Sequence, residues 1–173
     1  TKKTIQRLKK LGVKNTIMLT GDTQDKADKI AKEVGIDTVY ASLLPTQKAS
    51  IVKQLMSEGK KVAFIGDGIN DAPALISANV GISMSKGADI AKATADVSLL
   101  KDDIAAVADV KELAEDTMKL INNNFNATVG INSVILAGAS LGFFTPITTA
   151  VLHNGTTIGL LLNSMRGVKL KKG

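Results

Sequence analysis

From Leu120 to Met165 the chain runs 46 residues without Asp, Glu, Lys or Arg, while the residues before it carry charge throughout. A helix on a globular surface normally shows a charged face. A run like this must therefore find either a protein interior or lipid. As one unbroken helix it would be about 69 Å long at 1.5 Å per residue, more than twice a bilayer core of roughly 30 Å. Two helices and a turn fit better. Gly142-Phe143-Phe144-Thr145-Pro146 supplies the turn, with Gly, Pro and two interfacial aromatics together. The expected spans are about 122–141 and 146–165. Lys119 precedes the first, and Arg166, Lys169, Lys171 and Lys172 follow the second, with no charge in the turn. The positive-inside tendency then puts both ends in the cytoplasm. The expected membrane is the plasma membrane. The competing reading is a pair of helices buried in a soluble bundle, which the density of Asn, Thr and Ser favours.

Residues 1–117 have a different pattern. Short apolar runs at 15–19, 38–41, 61–65, 80–83 and 96–99 read as strands. Between them lie helical patterns at 4–11, 24–34, 46–57, 71–78 and 88–93, with apolar spacings of three and four such as Ile30/Val34 and Ile51/Leu55. Gly12, Gly35 and Gly59 fall where helices should end. Alternating strands and helices predict an α/β domain with a doubly wound parallel sheet, whose ligands sit at the carboxyl ends of the strands. A helix from Asp103 to Leu120 would lead into the hairpin. The expected division is 1–117 and 118–173.

Bulk properties exclude several classes. There is no cysteine, hence no disulfide framework, thiolate metal site or cysteine nucleophile. The net charge is +6, but residues 120–173 hold four basic residues and no acidic one, so only +2 belongs to the rest. With one Tyr, four Phe and no Trp there is little to stack bases on. Nucleic acid is not an expected partner. The basic residues Lys2, Lys3, Arg7, Lys9 and Lys10 leave no apolar run for a cleaved leader at the start.

Three motifs follow strands of the expected sheet. Gly66-Asp67-Gly68-Ile69-Asn70-Asp71-Ala72-Pro73 places two carboxylates on a glycine turn that enters a helix, with Pro73 in its first turn. Asp67 and Asp71, without His or Cys, suit Mg²⁺. An Asp-capped helix would need only one of them. Thr20-Gly21-Asp22 can offer a hydroxyl and backbone N–H groups to a phosphate, although it also reads as an ordinary turn. Lys48, just after the helix entry Pro45-Thr46, can hold a phosphoryl group as a point charge, or be a plain surface lysine. On one sheet edge, the three would form a site for phosphoryl transfer, where positioning and charge neutralisation do most of the catalysis.

These motifs resemble the C-terminal part of a P-type ATPase. The residues that carry the likeness are Met18-Leu19-Thr20-Gly21-Asp22, Leu43-Leu44-Pro45 with Lys48, Gly66 through Leu75, and Val80-Gly81-Ile82. The hydrolase core resembles the haloacid dehalogenase superfamily. Two terminal helices ending in Leu162-Asn163-Ser164-Met165-Arg166 look like the heavy-metal (type IB) branch. The resemblance implies that Thr20 and Lys48 grip an aspartyl phosphate, that Asp67 binds Mg²⁺ with Asn70 and Asp71 in support, and that Gly21 and Asp22 shape the phosphate loop. It implies ATP as the phosphoryl donor, bound by a nucleotide domain that this sequence does not contain. The family's Asp-Lys-Thr-Gly-Thr motif, which holds the phosphorylated aspartate, is also absent here. The implied partners are the actuator, nucleotide-binding and upstream membrane segments of a pump, the bilayer and a transition-metal ion. This chain alone is expected to have no ATPase turnover.

The resemblance also implies that the last helices contribute ligands for the ion. His153, the only histidine, is the strongest candidate, with Thr157 and Asn132. Imidazole suits divalent transition metals, but His153 could instead merely bond a neighbouring helix. His153-Asn154-Gly155-Thr156-Thr157 looks like the His-Glu-Gly-Gly-Thr pattern of the cobalt/zinc subgroup, with Asn154 in place of Glu. The Tyr-Asn and Met-x-x-Ser-Ser patterns of copper pumps are absent. The expectation is a divalent ion of the zinc, cobalt or cadmium class, with copper as the alternative. A dehalogenase-type phosphatase with a membrane anchor, or a non-catalytic module, are the other readings.

Overall fold

The structure is a computed structural model that describes residues 1–86 and 88–167. The basic residues Lys169, Lys171 and Lys172 of the expected tail lie outside them. The chain divides into two compact units, Thr1–Asp109 and Val110–Gly173. The expected division at 117/118 lies eight residues downstream of this boundary.

The first unit alternates helix and strand as the apolar spacing requires. Helix α1 (Lys2–Lys10) buries Ile5 and Leu8 and carries Arg7, Lys9 and Lys10 in its last turn, where positive charge complements the helix dipole. Strand β1 (Ile17–Leu19) pairs in parallel with β2 (Thr38–Tyr40) through the crossover helix α2 (Gln24–Val34). α2 buries Ala27 and Ala31 and stops at Gly35, in the left-handed conformation that lacks a steric penalty only for glycine. Helix α3 (Pro45–Ser57) leads to β3 (Ala63–Gly66). A 3-10 turn (Ile69–Asp71) and α4 (Ala72–Ser77) follow, then β4 (Val80–Ser83), α5 (Asp89–Thr94) and β5 (Val97–Ser98).

Every strand pairing is parallel, as in an α/β fold. The single sheet expected from the sequence is instead two, β1-β2 and β3-β4-β5. Apolar periodicity identifies strands and crossovers, but it does not say which strands are neighbours. The two sheets share a core. Ala49 and Val52 of α3, Phe64 of β3, Ala74 and Leu75 of α4 and Ala91 of α5 form it, and Leu19 of β1 packs against it. The carboxyl ends of β1 and β3 are therefore anchored to the same apolar cluster.

The second unit is a helical hairpin. The expected helices at 103–120 and 122–141 are one continuous helix, α6 (Ala105–Ser140). Nothing between Leu120 and Asn122 breaks it, since a loss of charged residues is not a helix stop. Gly142, at φ +80°, turns the chain, and the Phe143 N–H closes back on the Gly138 carbonyl at 2.9 Å. Helix α7 (Pro146–Met165) then starts with Pro146 at its first position, capped by Thr145, whose hydroxyl accepts the Thr148 N–H. The two helices are joined by amides. Asn124 donates to Ser164 Oγ at 2.7 Å and accepts from Asn163 at 2.8 Å.

Among the described residues no helix is long and apolar enough to cross a membrane. The expected transmembrane character of the hairpin is thus not carried by its own hydropathy. Asn122, Asn123, Asn124, Asn126, Asn132, Thr156, Thr157 and Asn163 dilute the apolar content. Many of its apolar side chains are nonetheless uncovered. α7 has no buried residue, and Phe125, Val134, Leu136 and Val151 are each about two-thirds exposed.

Candidate active site

The centre of the site is Asp71. Strand β3 ends at Gly66, and the 3-10 turn folds Asp71 back over it. A Cβ on Gly66 would lie 2.6 Å from Asp71 Cβ, closer than real side chains approach. Glycine is thus required here for space. Asp71 Oδ2 accepts long hydrogen bonds from the N–H groups of Gly68 at 3.3 Å and Asp67 at 3.4 Å. Oδ1 receives Lys48 Nζ at 2.7 Å. The side chains of Lys48 and Asp71 are only 15% and 12% exposed. Such screening from water makes the pair stronger than a surface ion pair.

Lys48 reaches this point from the first turn of α3. Leu44 caps that helix, with its own N–H held by Gln47 Oε1 at 2.7 Å and Pro45 next in line. A cation here opposes the helix dipole, and Asp71 offsets that cost. The loop after β4 is tied down as well. The Met84 N–H donates to the Gly66 carbonyl at 3.1 Å and the Ala88 N–H to the Asp67 carbonyl at 2.8 Å.

Asp67 and Asn70 are exposed beside the pair. The Asp67 carboxylate has no hydrogen bond or ion pair among the described residues. The two carboxylates expected to share Mg²⁺ are therefore unlike. Asp71 is committed to Lys48 and backbone amides, and Asp67 is open. An all-oxygen set with one free carboxylate fits Mg²⁺, which keeps several waters and takes one or two carboxylates plus phosphate oxygens.

Thr20, Gly21 and Asp22 form a second group. Thr20 accepts the Asp22 N–H on Oγ1 at 3.1 Å, its own N–H donates to Tyr40, and its carbonyl accepts from Leu43. A Cβ on Gly21 would sit 3.4 Å from the Leu43 carbonyl oxygen. The Asp22 carboxylate pairs with Lys26 at 3.1 Å. The loops after β1 and β2 are thereby clasped together, with Ser42 held at φ +54°, an uncommon conformation for a residue with a side chain. No described hydrogen bond links this group to Lys48, Asp67 or Asp71. The structure gathers the latter three with Asn70, and holds Thr20–Asp22 at the end of the other sheet.

In the hairpin, His153 Nδ1 lies 3.0 Å from Asn132 Oδ1. Thr157 Oγ1 donates to the His153 backbone carbonyl at 3.0 Å. Among the described residues no cluster of three or more His, Cys, Asp or Glu forms a ready-made metal cage. Contacts that sequence reasoning missed are mostly long-range and polar. Asp37 accepts from Lys9 at 2.5 Å and from both the N–H and hydroxyl of Thr16. Asp96 accepts the Gly81 N–H at 2.7 Å. None has a periodic signature; only the short polar residues flanking strands hinted at them.

The chain is similar to proteins of known activity. Residues 1–79 match the haloacid dehalogenase-like hydrolase family. A copper-exporting P-type ATPase from Bacillus subtilis (strain 168) is 40% identical over 99% of this chain and 21% of its own length. The homology is to metal-exporting P-type ATPases. A manganese-exporting P-type ATPase from Mycobacterium leprae (strain TN) is 38% identical over 96% of the chain and 23% of its own length. The crystal structure of a zinc-transporting PIB-type ATPase in the E2.Pi state superposes with a TM-score of 0.87 at 34% identity. It covers 95% of this chain and 27% of that one. The chain spans about a fifth of the length of the curated relatives named here. The fold is the α/β fold of haloacid dehalogenase-like proteins, and the homologues are heavy-metal pumps named for different ions.

Proposed function

We propose that this chain is the C-terminal part of an ATP-driven transition-metal pump, holding half of its phosphorylation site and its last two membrane helices. The observation that carries this is the shielded Lys48–Asp71 pair beside the open Asp67, in a chain similar to metal-exporting P-type ATPases along nearly its whole length.

The geometry supports a division of labour. Asp67 is the carboxylate free to hold Mg²⁺, with Asn70 next to it; Mg²⁺ supplies charge neutralisation at a phosphoryl group. Asp71 keeps Lys48 in place and buried, so that the ammonium meets a phosphate oxygen without searching for it. Thr20, Gly21 and Asp22 offer the hydroxyl and N–H groups of the phosphate loop. The aspartyl nucleophile and the ATP site come from other segments of the pump. The edges of β1 and β3 offer a place for the first of these. Each is unpaired on one side among the described residues, each ends at one half of the site, and both pack on one core. An upstream strand seated between them would deliver its carboxylate to Thr20, Lys48 and Asp67 together.

The hairpin is read as membrane-embedded inside a larger bundle. Uncovered Phe125, Val134, Leu136 and Val151 support contact with lipid or other helices. The polar face that lowers the hydropathy belongs against the missing helices, where intramembrane polar groups normally point. Both ends of this segment then face the cytoplasm, in the plasma membrane. The cargo is a divalent ion of the zinc, cobalt or cadmium class, with His153, Thr157 and Asn132 near its path. The copper name of one relative makes copper the second reading.

The test is phosphate release. The isolated chain should show no ATP turnover, because it lacks the nucleophile. The longer polypeptide that contains it, reconstituted in liposomes, should turn over with Mg²⁺ and a divalent transition ion. Robust turnover by the isolated chain would overturn the proposal, and stimulation by Cu⁺ alone would overturn the choice of ion.

A further inference from the structure

Lysine crowds the first helix, and phosphoryl transfer makes no use of it. Residues 1–21 hold Lys2, Lys3, Arg7, Lys9, Lys10 and Lys14 and no acidic residue. Residues 22–109 are the reverse, with ten basic residues against thirteen acidic ones. The excess positive charge of the first unit is thus confined to α1 and the turn after it. Two of these side chains are committed within the unit. Arg7 pairs with Asp109 at 2.6 Å, and Lys9 pairs with Asp37. Lys2, Lys3, Lys10 and Lys14 are exposed and have no hydrogen bond or ion pair among the described residues. Helix stability does not explain them all. Lys10 suits the last turn. Lys2 and Lys3 occupy the first, where a cation opposes the helix dipole and no acidic residue offsets it.

We propose that α1 is a docking face for anionic phospholipid headgroups. This rests on the reading of the hairpin as membrane-embedded. Ile5 and Leu8 are buried in the first unit, so the helix lies on the headgroups and does not insert. A protein partner is a poorer match, because Lys is depleted from protein interfaces and the exposed face of α1 has no apolar anchor. Hydrated point charges suit a diffuse layer of phosphates, whereas a discrete anion site favours the planar fork of arginine. The one arginine of α1 is already held by Asp109. The chain also keeps this face near the bilayer. Asp109 lies eleven residues before Leu120, where the uncharged run begins, and eleven residues span at most about 40 Å. The acidic remainder of the unit is repelled by the same lipids, which orients α1 toward them.

The test uses the full chain in nanodiscs of phosphatidylcholine, alone or with one-quarter phosphatidylglycerol, each with a trace of headgroup-spin-labelled lipid. In anionic discs the backbone amides of α1 should broaden, and salt at about 1 M, where the Debye length is about 3 Å, should restore them. In neutral discs they should stay sharp. Lys2→Gln, Lys3→Gln, Lys10→Gln and Lys14→Gln together should remove the broadening, each lowering the docked-to-free ratio about five-fold. Arginine at the same four positions should keep it, and Tyr40 fluorescence checks that both variants fold. Sharp amides in anionic discs, equal broadening in both lipids, or broadening unchanged in the glutamine variant would each overturn the proposal. So would protection of the four amines from acylation in the longer polypeptide in neutral discs, which marks a protein partner. A chain that leaves both kinds of disc would sink the membrane reading. Flotation with vesicles of the anionic mixture then decides the docking face: wild type should float more than the glutamine variant, and equal flotation would overturn it.

Discussion

Breaking the Lys48–Asp71 pair should cost far more than breaking a surface ion pair. At 2.7 Å, Coulomb attraction with an effective dielectric of 20 is about 6 kcal/mol before desolvation is subtracted. Hydrogen bonds to charged groups leave a net of about 1.5–3 kcal/mol. An exposed pair would leave at most about 1 kcal/mol. The side chains are 12–15% exposed, which selects the larger range. Lys48→Met should therefore destabilise the first unit by about 3 kcal/mol, since Asp71 would keep only two long backbone hydrogen bonds. A double-mutant cycle of Lys48→Met with Asp71→Asn isolates the coupling. Tyr40 is the only tyrosine and lies in β2, so its fluorescence during urea unfolding reports the first unit alone. The expected coupling is about 1.5–3 kcal/mol and persists in high salt. A coupling under about 0.5 kcal/mol, or one erased by salt, would show that the pair is an ordinary surface contact and refute the shielding argument.

Other outcomes follow from the same geometry. Gly66→Ala should cost about 1–3 kcal/mol by overpacking and push Asp71 off Lys48, seen as loss of that coupling in the same cycle. Gly138→Ala drives a Cβ into the Phe144 ring, but gains about 1 kcal/mol of helix propensity. The two nearly cancel in stability, while a fluorine label on Phe144 should report a displaced ring. Asp37 is pulled down to a pKa of about 2, first by the hydrogen bond from Lys9 and then by those from Thr16. Because the folded value lies below the unfolded one, its stabilisation is full above the unfolded pKa and lost as pH falls toward 2. A carboxyl NMR titration of Asp37 should show the low midpoint, and Thr16→Val should raise it.

The sequence was most legible where the signal is local. α2, with its glycine stop, and β4 have the bounds that periodicity and capping predict, and so does α7, with Pro146 at its start. Asp67 and Asp71 stood out because two carboxylates on a glycine turn are hard to explain otherwise. Their unlike roles were not legible, since they depend on Lys48 arriving from another helix. The split into two sheets was missed for the same reason: pairing is a long-range choice. In the hairpin, absence of charge marked a change of composition. It did not mark a helix end, so α6 continued through Leu120. Absence of charge is also not the same as apolarity, as the many asparagines of α6 demonstrate.

The most direct measurement of the central claim is metal-stimulated phosphate release by the longer polypeptide with Asp67 neutralised. Wild-type protein in liposomes should turn over only when Mg²⁺ and a transition-metal ion are both present. Asp67→Asn, which leaves Lys48 and Asp71 paired, should abolish that turnover without unfolding the domain. An Asp67→Asn protein that hydrolyses ATP at the wild-type rate with the same Mg²⁺ dependence would contradict the account.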